Sequence, residues 1–160
     1  MKSENRCYCL SEKPYAICCQ PFLSGYSLPD TPEQLMRSRF SAFCTGNVDY
    51  LFTTHHPSAR QPNEKKMLNQ TIQDTQWIGL KIIRSEKPAS GAIKGFVEFI
   101  AFYQNNNIEQ LHENSKFIYE GNRWYYLDGE ILKPHKFKQN EPCWCGSQKK
   151  FKRCHGRRSG

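Results

Sequence analysis

The sequence predicts an α+β fold, with N-terminal helices packed on one face of a curved antiparallel sheet and a short cysteine-rich segment at each end. Three features carry this expectation. Apolar positions recur at helical spacing through residues 31–75, a period of two follows through residues 76–131, and Cys-x-Cys occurs near both termini.

The first helix is expected over residues 31–46. Thr31 caps it, Pro32 suits its first position, Gln34 completes a Thr-x-x-Gln capping box, and Gly46 stops it. Met36, Phe40 and Phe43 follow at i, i+4 and i+7 and give the helix a buried face. Cys44 has no ligand spacing to any other residue and reads as a small buried hydrophobe. A second helix is expected over 48–55, ending near Pro57, and a third over 64–75 with Asn63 as its cap. Strands are expected over 76–87, 95–104, 109–119 and 123–131. Turn signals separate them at Ser90-Gly91, Asn105-Asn106-Asn107 and Gly121-Asn122.

At 160 residues the chain is long enough to bury a core without staples. No run of about 18 apolar residues is present, so no membrane-spanning helix is expected. The start, Met1-Lys2-Ser3-Glu4-Asn5-Arg6 and then Cys7, shows no export signal. A cytoplasmic setting with reduced thiols is therefore expected, and eight cysteines there call for a metal before a disulfide. The net charge of +8 is concentrated. From Lys133 to Gly160 nine Lys and Arg face one acid, Glu141, and the rest of the chain is neutral. Such a tail draws an acidic protein surface, RNA or anionic lipid, or simply keeps the protein in solution.

The ends repeat one another. Residues 7–19 read CYCLSEKPYAICC and residues 143–155 read CWCGSQKKFKRCH. Aligned without gaps, Cys7, Cys9, Ser11, Lys13 and Cys18 match Cys143, Cys145, Ser147, Lys149 and Cys154, and Tyr8 and Tyr15 match Trp144 and Phe151. Four sulfur or imidazole ligands at this spacing suit a tetrahedral structural zinc. The expected sets are Cys7, Cys9, Cys18 and Cys19, and Cys143, Cys145, Cys154 and His155, giving two zinc ions per chain. Disulfide pairing is the alternative, disfavoured by the compartment and strained for Cys18–Cys19. Iron in the same ligand sets stays chemically open. Gly146 follows the second cysteine of one copy, where it can take positive φ, but Leu10 stands there in the other, which predicts a weaker site or a different turn.

Residues 143–155 resemble the SEC-C motif, the zinc-binding element at the C-terminal end of the translocation motor SecA. The pattern is met at Cys143, Cys145, Gly146, Ser147, Lys149, Lys150, Phe151, Lys152, Cys154 and His155, and the N-terminal copy departs from it at Leu10, Pro14 and Ala16. A motif at both ends resembles the YchJ family. That likeness extends through Pro21, Leu23, Ser24 and Gly25, through 31–39, through Leu111-His112-Glu113-Asn114-Ser115 and through 121–129. The resemblance implies an N-terminal knuckle over 1–25, a nuclear transport factor 2-like cone over 26–135 and a C-terminal knuckle with its basic tail over 136–160. It also implies docking to a protein partner: a chaperone, the ribosome (and so RNA) or the translocation machinery.

The leading functional expectation is an adaptor that binds its partner through Trp144, Lys149, Lys150, Phe151, Lys152 and Arg153, with both aromatics presented amid the charge. Each knuckle is too short to bury a core alone, so it is expected to order with metal while the sheet stands without it. The alternative is a small-molecule binder or enzyme using the cone. Its candidates are His55, His56, Trp77, His112 and Asp128, although His112 and Glu113 point to opposite faces of one strand and cannot form a dyad.

Overall fold

The computed structural model describes residues 5–157. Met1 to Glu4 of the polar start, and Arg158 of the basic tail, lie outside the described residues. After a short helix α1 (Gln20–Leu23), the long helix α2 runs over Pro32–Thr45. Its ends follow the capping logic. Thr31 accepts from the Gln34 N–H at 3.2 Å, and Gly46 closes it in the left-handed region at φ 75°. Gln34 reaches one residue further than a capping box requires, accepting from the Asp30 N–H at 2.7 Å. Helix α3 (Val48–Thr54) starts on Asn47, which accepts from the Tyr50 N–H at 3.0 Å. Helix α4 covers Glu64–Asp74, and here Asn63 makes no capping bond with its side chain.

The sheet is a meander in the order β1-β2-β3-β4, built from β1 (Gln76–Ser85), β2 (Lys94–Gln104), β3 (Ile108–Glu120) and β4 (Arg123–Ile131). All neighbours are antiparallel, with irregularities in β1 between Trp77 and Gly79 and between Ile82 and Arg84. Alternation along β2 shows how the layers are arranged. Val97, Phe99 and Ala101 join Leu35, Met36 and Phe40 of α2 in one core, while Ile100 and Phe102 point the other way into a second core with Cys143 and Trp144. Helices cover one face of the sheet and the C-terminal segment covers part of the other.

Both ends pack onto the middle of the chain. Cys7, Cys9 and Cys19 belong to the same core as α2 and the sheet. Trp144 is only 8% exposed and lies flat on Phe102, with ring centroids 3.9 Å apart and 9° between planes. Among the described residues no helix is long and apolar enough to cross a membrane.

Candidate metal centres

The two knuckles share most of their backbone bonds. The first cysteine's N–H donates to the lysine carbonyl six residues on, Cys7 to Lys13 at 2.9 Å and Cys143 to Lys149 at 2.8 Å. Isolated bridges pair Arg6 with Pro14 and Pro142 with Lys150, so the chain doubles back. A single 3-10 turn, Tyr15–Ile17 or Phe151–Arg153, then delivers the final ligand pair.

Leu10 and Gly146 take the same left-handed conformation, at φ 57° and 76°. The leucine therefore does not change the turn. It holds a conformation costing about 1–2 kcal/mol for a residue with a Cβ. Its side chain in return packs into the second core beside Trp144. Pro14 fits for a similar reason, because its counterpart Lys150 already sits at φ −64°, ψ 145°, which suits a proline ring.

Both turns bring four ligand atoms together. The thiols of Cys7, Cys9, Cys18 and Cys19 lie within 4.8 Å of one another, as do those of Cys143, Cys145 and Cys154 with an imidazole nitrogen of His155. Metal–sulfur bonds of about 2.3 Å in a tetrahedron set S···S edges of about 3.8 Å, and a nitrogen ligand sets S···N edges of about 3.5 Å. The Cys9–Cys18, Cys18–Cys19 and Cys145–Cys154 separations are 3.7, 3.9 and 3.6 Å. His155 Nδ1 lies 3.1 Å from Cys143 Sγ and 3.4 Å from Cys154 Sγ. These are the edges of two tetrahedra that each fit one zinc-sized ion. Ser11 and Ser147 place hydroxyls 3.0 and 3.4 Å from Cys18 and Cys154, and so support matching ligands.

Electrostatics separates the N-terminal site from ordinary thiols. Bonds from Cys19 and Cys7, with help from Ser11 and the Arg37 charge, hold the Cys9 thiol far below its usual range. Burial pushes Cys18 up to about 11, and Cys19 is driven higher still by its bonds to Cys7 and Cys9. A second thiolate beside the first is too costly until a cation joins them. The sites differ in burial. Cys7, Cys9 and Cys19 are at most 1% exposed, and Cys7 Sγ also meets the buried Ser41 hydroxyl at 3.6 Å. At the C-terminal site Cys145 and Cys154 are half-buried and His155 is exposed. Cys44 takes no part. Its half-buried thiol is pushed up to about 12 by loss of solvent and faces the Trp77 carbonyl at 4.0 Å.

The knuckles also touch each other. Arg6 donates to the Gly146 carbonyl at 3.3 Å. Both close on Gly79 of the edge strand β1, where an added Cβ would lie 2.7 Å from the Trp144 ring and 3.1 Å from Leu10. Nothing in the sequence period announces this joint. Lys149, Lys150, Lys152 and Arg153 are exposed as expected, but Trp144 is buried and Phe151 is half-buried, 5.1 Å from the Phe137 ring. The aromatics are chiefly the knuckle's attachment to the sheet.

The cone's candidates divide. His55 and Trp77 line a cavity between α2, α4 and the sheet. His56 turns instead to Glu120 at 2.7 Å and Ser58 at 2.6 Å. His112 lies on the opposite face, bonded to Glu98 and the Lys133 carbonyl, each at 2.7 Å. Asp128 is exposed on the surface, 3.8 Å from Lys116. The sequence reading missed Arg39 and Glu64 as cavity residues, and passed over Glu113 once it was separated from His112.

A nuclear transport factor 2-like middle flanked by two SEC-C-type knuckles is the class this architecture defines. The family model described as "YchJ, middle NTF2-like domain" matches residues 31–129, and the SEC-C motif matches residues 140–157. A UPF0225 protein of Serratia proteamaculans is 42% identical over 94% of this chain and 97% of its own length. One from Actinobacillus succinogenes is 44% identical, covering 94% of this chain and 96% of its own. The chain belongs to this family, the UPF0225 or YchJ proteins. Among solved structures it is similar to a SEC-C motif containing protein from Rhodopseudomonas palustris, with TM-score 0.73 and 30% identity over 80% of this chain and 99% of that one. It is likewise similar to one from Psychrobacter arcticus, with TM-score 0.63 and 31% identity over 91% of this chain and 87% of that one.

Proposed function

We propose that the protein is a cytoplasmic adaptor that holds two structural zinc ions and docks an acidic protein partner on its C-terminal knuckle. The observation that carries this reading is a shallow aromatic groove between the sheet and the C-terminal knuckle, beside the exposed basic run of that knuckle. The groove has a volume of about 430 Å³ and is walled by Phe102, Ile108, Phe137, Phe151 and the edges of Trp144 and His155. Lys149, Lys150, Lys152 and Arg153 extend from the same knuckle into solvent. An amphipathic acidic segment matches that surface, its apolar side chains in the groove and its carboxylates on the rim. Resemblance to the SEC-C element of SecA supports a chaperone, the ribosome or the translocation machinery as the partner. Eight free cysteines, seven of them in the two ligand sets, support a reducing compartment.

The test is charge reversal of Lys149, Lys150, Lys152 and Arg153 to Glu, with zinc content checked and binding to purified ribosomes and to SecB measured at low and moderate salt. Binding should be salt-sensitive in the parent and at least tenfold weaker in the variant, since such charges act over about 8 Å at physiological ionic strength. Unchanged or salt-insensitive binding contradicts the proposal.

A further inference from the structure

The two knuckles end differently. Cys18-Cys19 closes one and Cys154-His155 closes the other. Thiolate and imidazole both serve as the fourth ligand of a structural zinc, so coordination alone does not select between them. Their surroundings differ. Cys19 is 1% exposed and belongs to the core with α2, whereas His155 is exposed and lines the aromatic groove. A thiolate brings one polar atom to the site, but an imidazole brings a second nitrogen with a hydrogen bond still to make.

Geometry fixes which nitrogen is left over. His155 Nδ1 lies 3.1 Å from Cys143 Sγ and 3.4 Å from Cys154 Sγ, along the edges of the tetrahedron. Nε2 sits across the ring and points away from these sulfurs. A neutral imidazole that ligates through Nδ1 carries its proton on Nε2, so this atom is a fixed donor. The ring itself is held in place. Trp144 lies against it, with centroids 4.4 Å apart and 33° between planes, and Trp144 is stacked in turn on Phe102 of β2. Gly156 lets Phe151 close in alongside, since an added Cβ there would lie 2.5 Å from the Phe151 ring. The sheet thus orients the Nε2–H bond through two packed rings.

A metal-bound histidine nearly always gives its second N–H to a carboxylate, a backbone carbonyl or water. Among the described residues His155 makes its polar contacts through Nδ1 alone. The other polar groups of the groove are poorly placed to receive an acid. Glu109 is itself acidic, and Tyr103 is engaged by Glu109, its cross-strand partner, which raises the pKa of the phenol. Gln110 is committed at both ends of its amide to the His135 backbone. His155 is the donor that remains, with Lys149, Lys150, Lys152 and Arg153 exposed on the same knuckle. Three thiolates around a divalent ion leave one negative charge, which those four cations outweigh.

We propose that His155 is a recognition residue as well as a metal ligand: its Nε2–H donates to a carboxylate of the docked segment, beside an apolar side chain seated in the groove. The inference rests on the docking reading above and names the group that reads the partner's acid. The partner supplies the carboxylate that a metal-bound histidine ordinarily finds within its own chain. Recognition then depends on metal as well as on charge, because only an ion on Nδ1 keeps the proton on Nε2.

The probe is a fluorescein-labelled, C-terminally amidated hexapeptide of alternating Glu and Phe, titrated with the full-length zinc-loaded protein and followed by anisotropy. His155→Cys copies the ending of the other knuckle, keeps a fourth ligand and leaves the basic run intact. With metal retained it should bind at least about tenfold more weakly, as expected for one lost hydrogen bond to a charged group, with the salt dependence unchanged. Nuclear magnetic resonance of the parent with isotope-labelled histidine should show the His155 proton on Nε2, and that signal should move as peptide is added. This second measurement needs no variant and decides the matter if His155→Cys loses its metal. A proton on Nδ1, an Nε2–H signal unmoved at saturating peptide, metal-retaining His155→Cys that binds as tightly as the parent, or a parent that does not bind the peptide overturns the proposal. The docking reading fails on a different result, binding unchanged by charge reversal of the four basic residues. Weaker binding on charge reversal with none lost in His155→Cys removes the role of His155 alone.

Discussion

Trp144→Ala removes the side chain through which the C-terminal knuckle grips the sheet. The ring is 8% exposed, stacks on Phe102 at 3.9 Å, and fills the space above Gly79. A buried tryptophan covers about 150–250 Å², which at about 25 cal/mol/Å² corresponds to ~4–6 kcal/mol. The site borders solvent and can partly collapse, so the lower part of the range for truncation to alanine, about 3–4 kcal/mol, is expected. At about 2–4 °C per kcal/mol for a chain of this size, the melting midpoint of the sheet should fall by about 6–16 °C. Circular dichroism reports the melt, and metal content is measured on the same samples. Phe102→Ala approaches the same contact from the sheet side. A double-mutant cycle between the two should show a coupling of about 0.5–1.5 kcal/mol beyond additivity. A midpoint that moves by less than about 2 °C with metal retained, together with no coupling to Phe102, would refute the idea that knuckle and sheet form one cooperative unit.

Three further outcomes follow from the paired sites. A chelator should strip metal in two phases, first from the C-terminal site with its exposed His155 and half-buried Cys154, then from the N-terminal site, whose Cys7, Cys9 and Cys19 are at most 1% exposed; a single phase contradicts this. At the N-terminal site Cys18, pushed up to about 11, and Cys19, higher still, are protonated at neutral pH and must both lose protons to bind an ion. Affinity there should therefore fall as pH is lowered, by at least about a hundredfold per unit, and competition with a zinc chelator between neutral pH and about pH 6 measures the slope. Leu10→Gly should melt about 1–2 kcal/mol above Leu10→Ala, because both lose the packing but only glycine relieves the left-handed φ of 57°. Equal midpoints would show that the turn carries no strain.

Local chemistry made much of the fold legible. Thr31, Pro32 and Gly46 delimit α2 because capping and φ restrictions act within a few residues, and the four strands fall within two residues of their expected limits at every end. The two clusters of Cys and His side chains were legible for the same reason: each turn and its clustered side chains lie within thirteen consecutive residues. What remained hidden is what docks on what. The run Phe99-Ile100-Ala101-Phe102-Tyr103 is apolar without alternation, the pattern of a strand covered on both faces, and it signals the second core that Trp144 completes. Leu10 could not be read as a joint, because its partners Gly79 and Trp144 are distant in sequence. The cavity's Arg39 and Glu64 come from separate helices, and no spacing rule links them.

The most direct measurement is elemental analysis of protein purified without added metal, paired with thiol counting under denaturing conditions before and after chelation. The account predicts two zinc ions per chain and eight titratable thiols, with only Cys44 outside the two ligand sets. Protein that carries no metal and has its cysteines oxidised to disulfides in the cell would contradict it, and a single ion would remove one of the two sites.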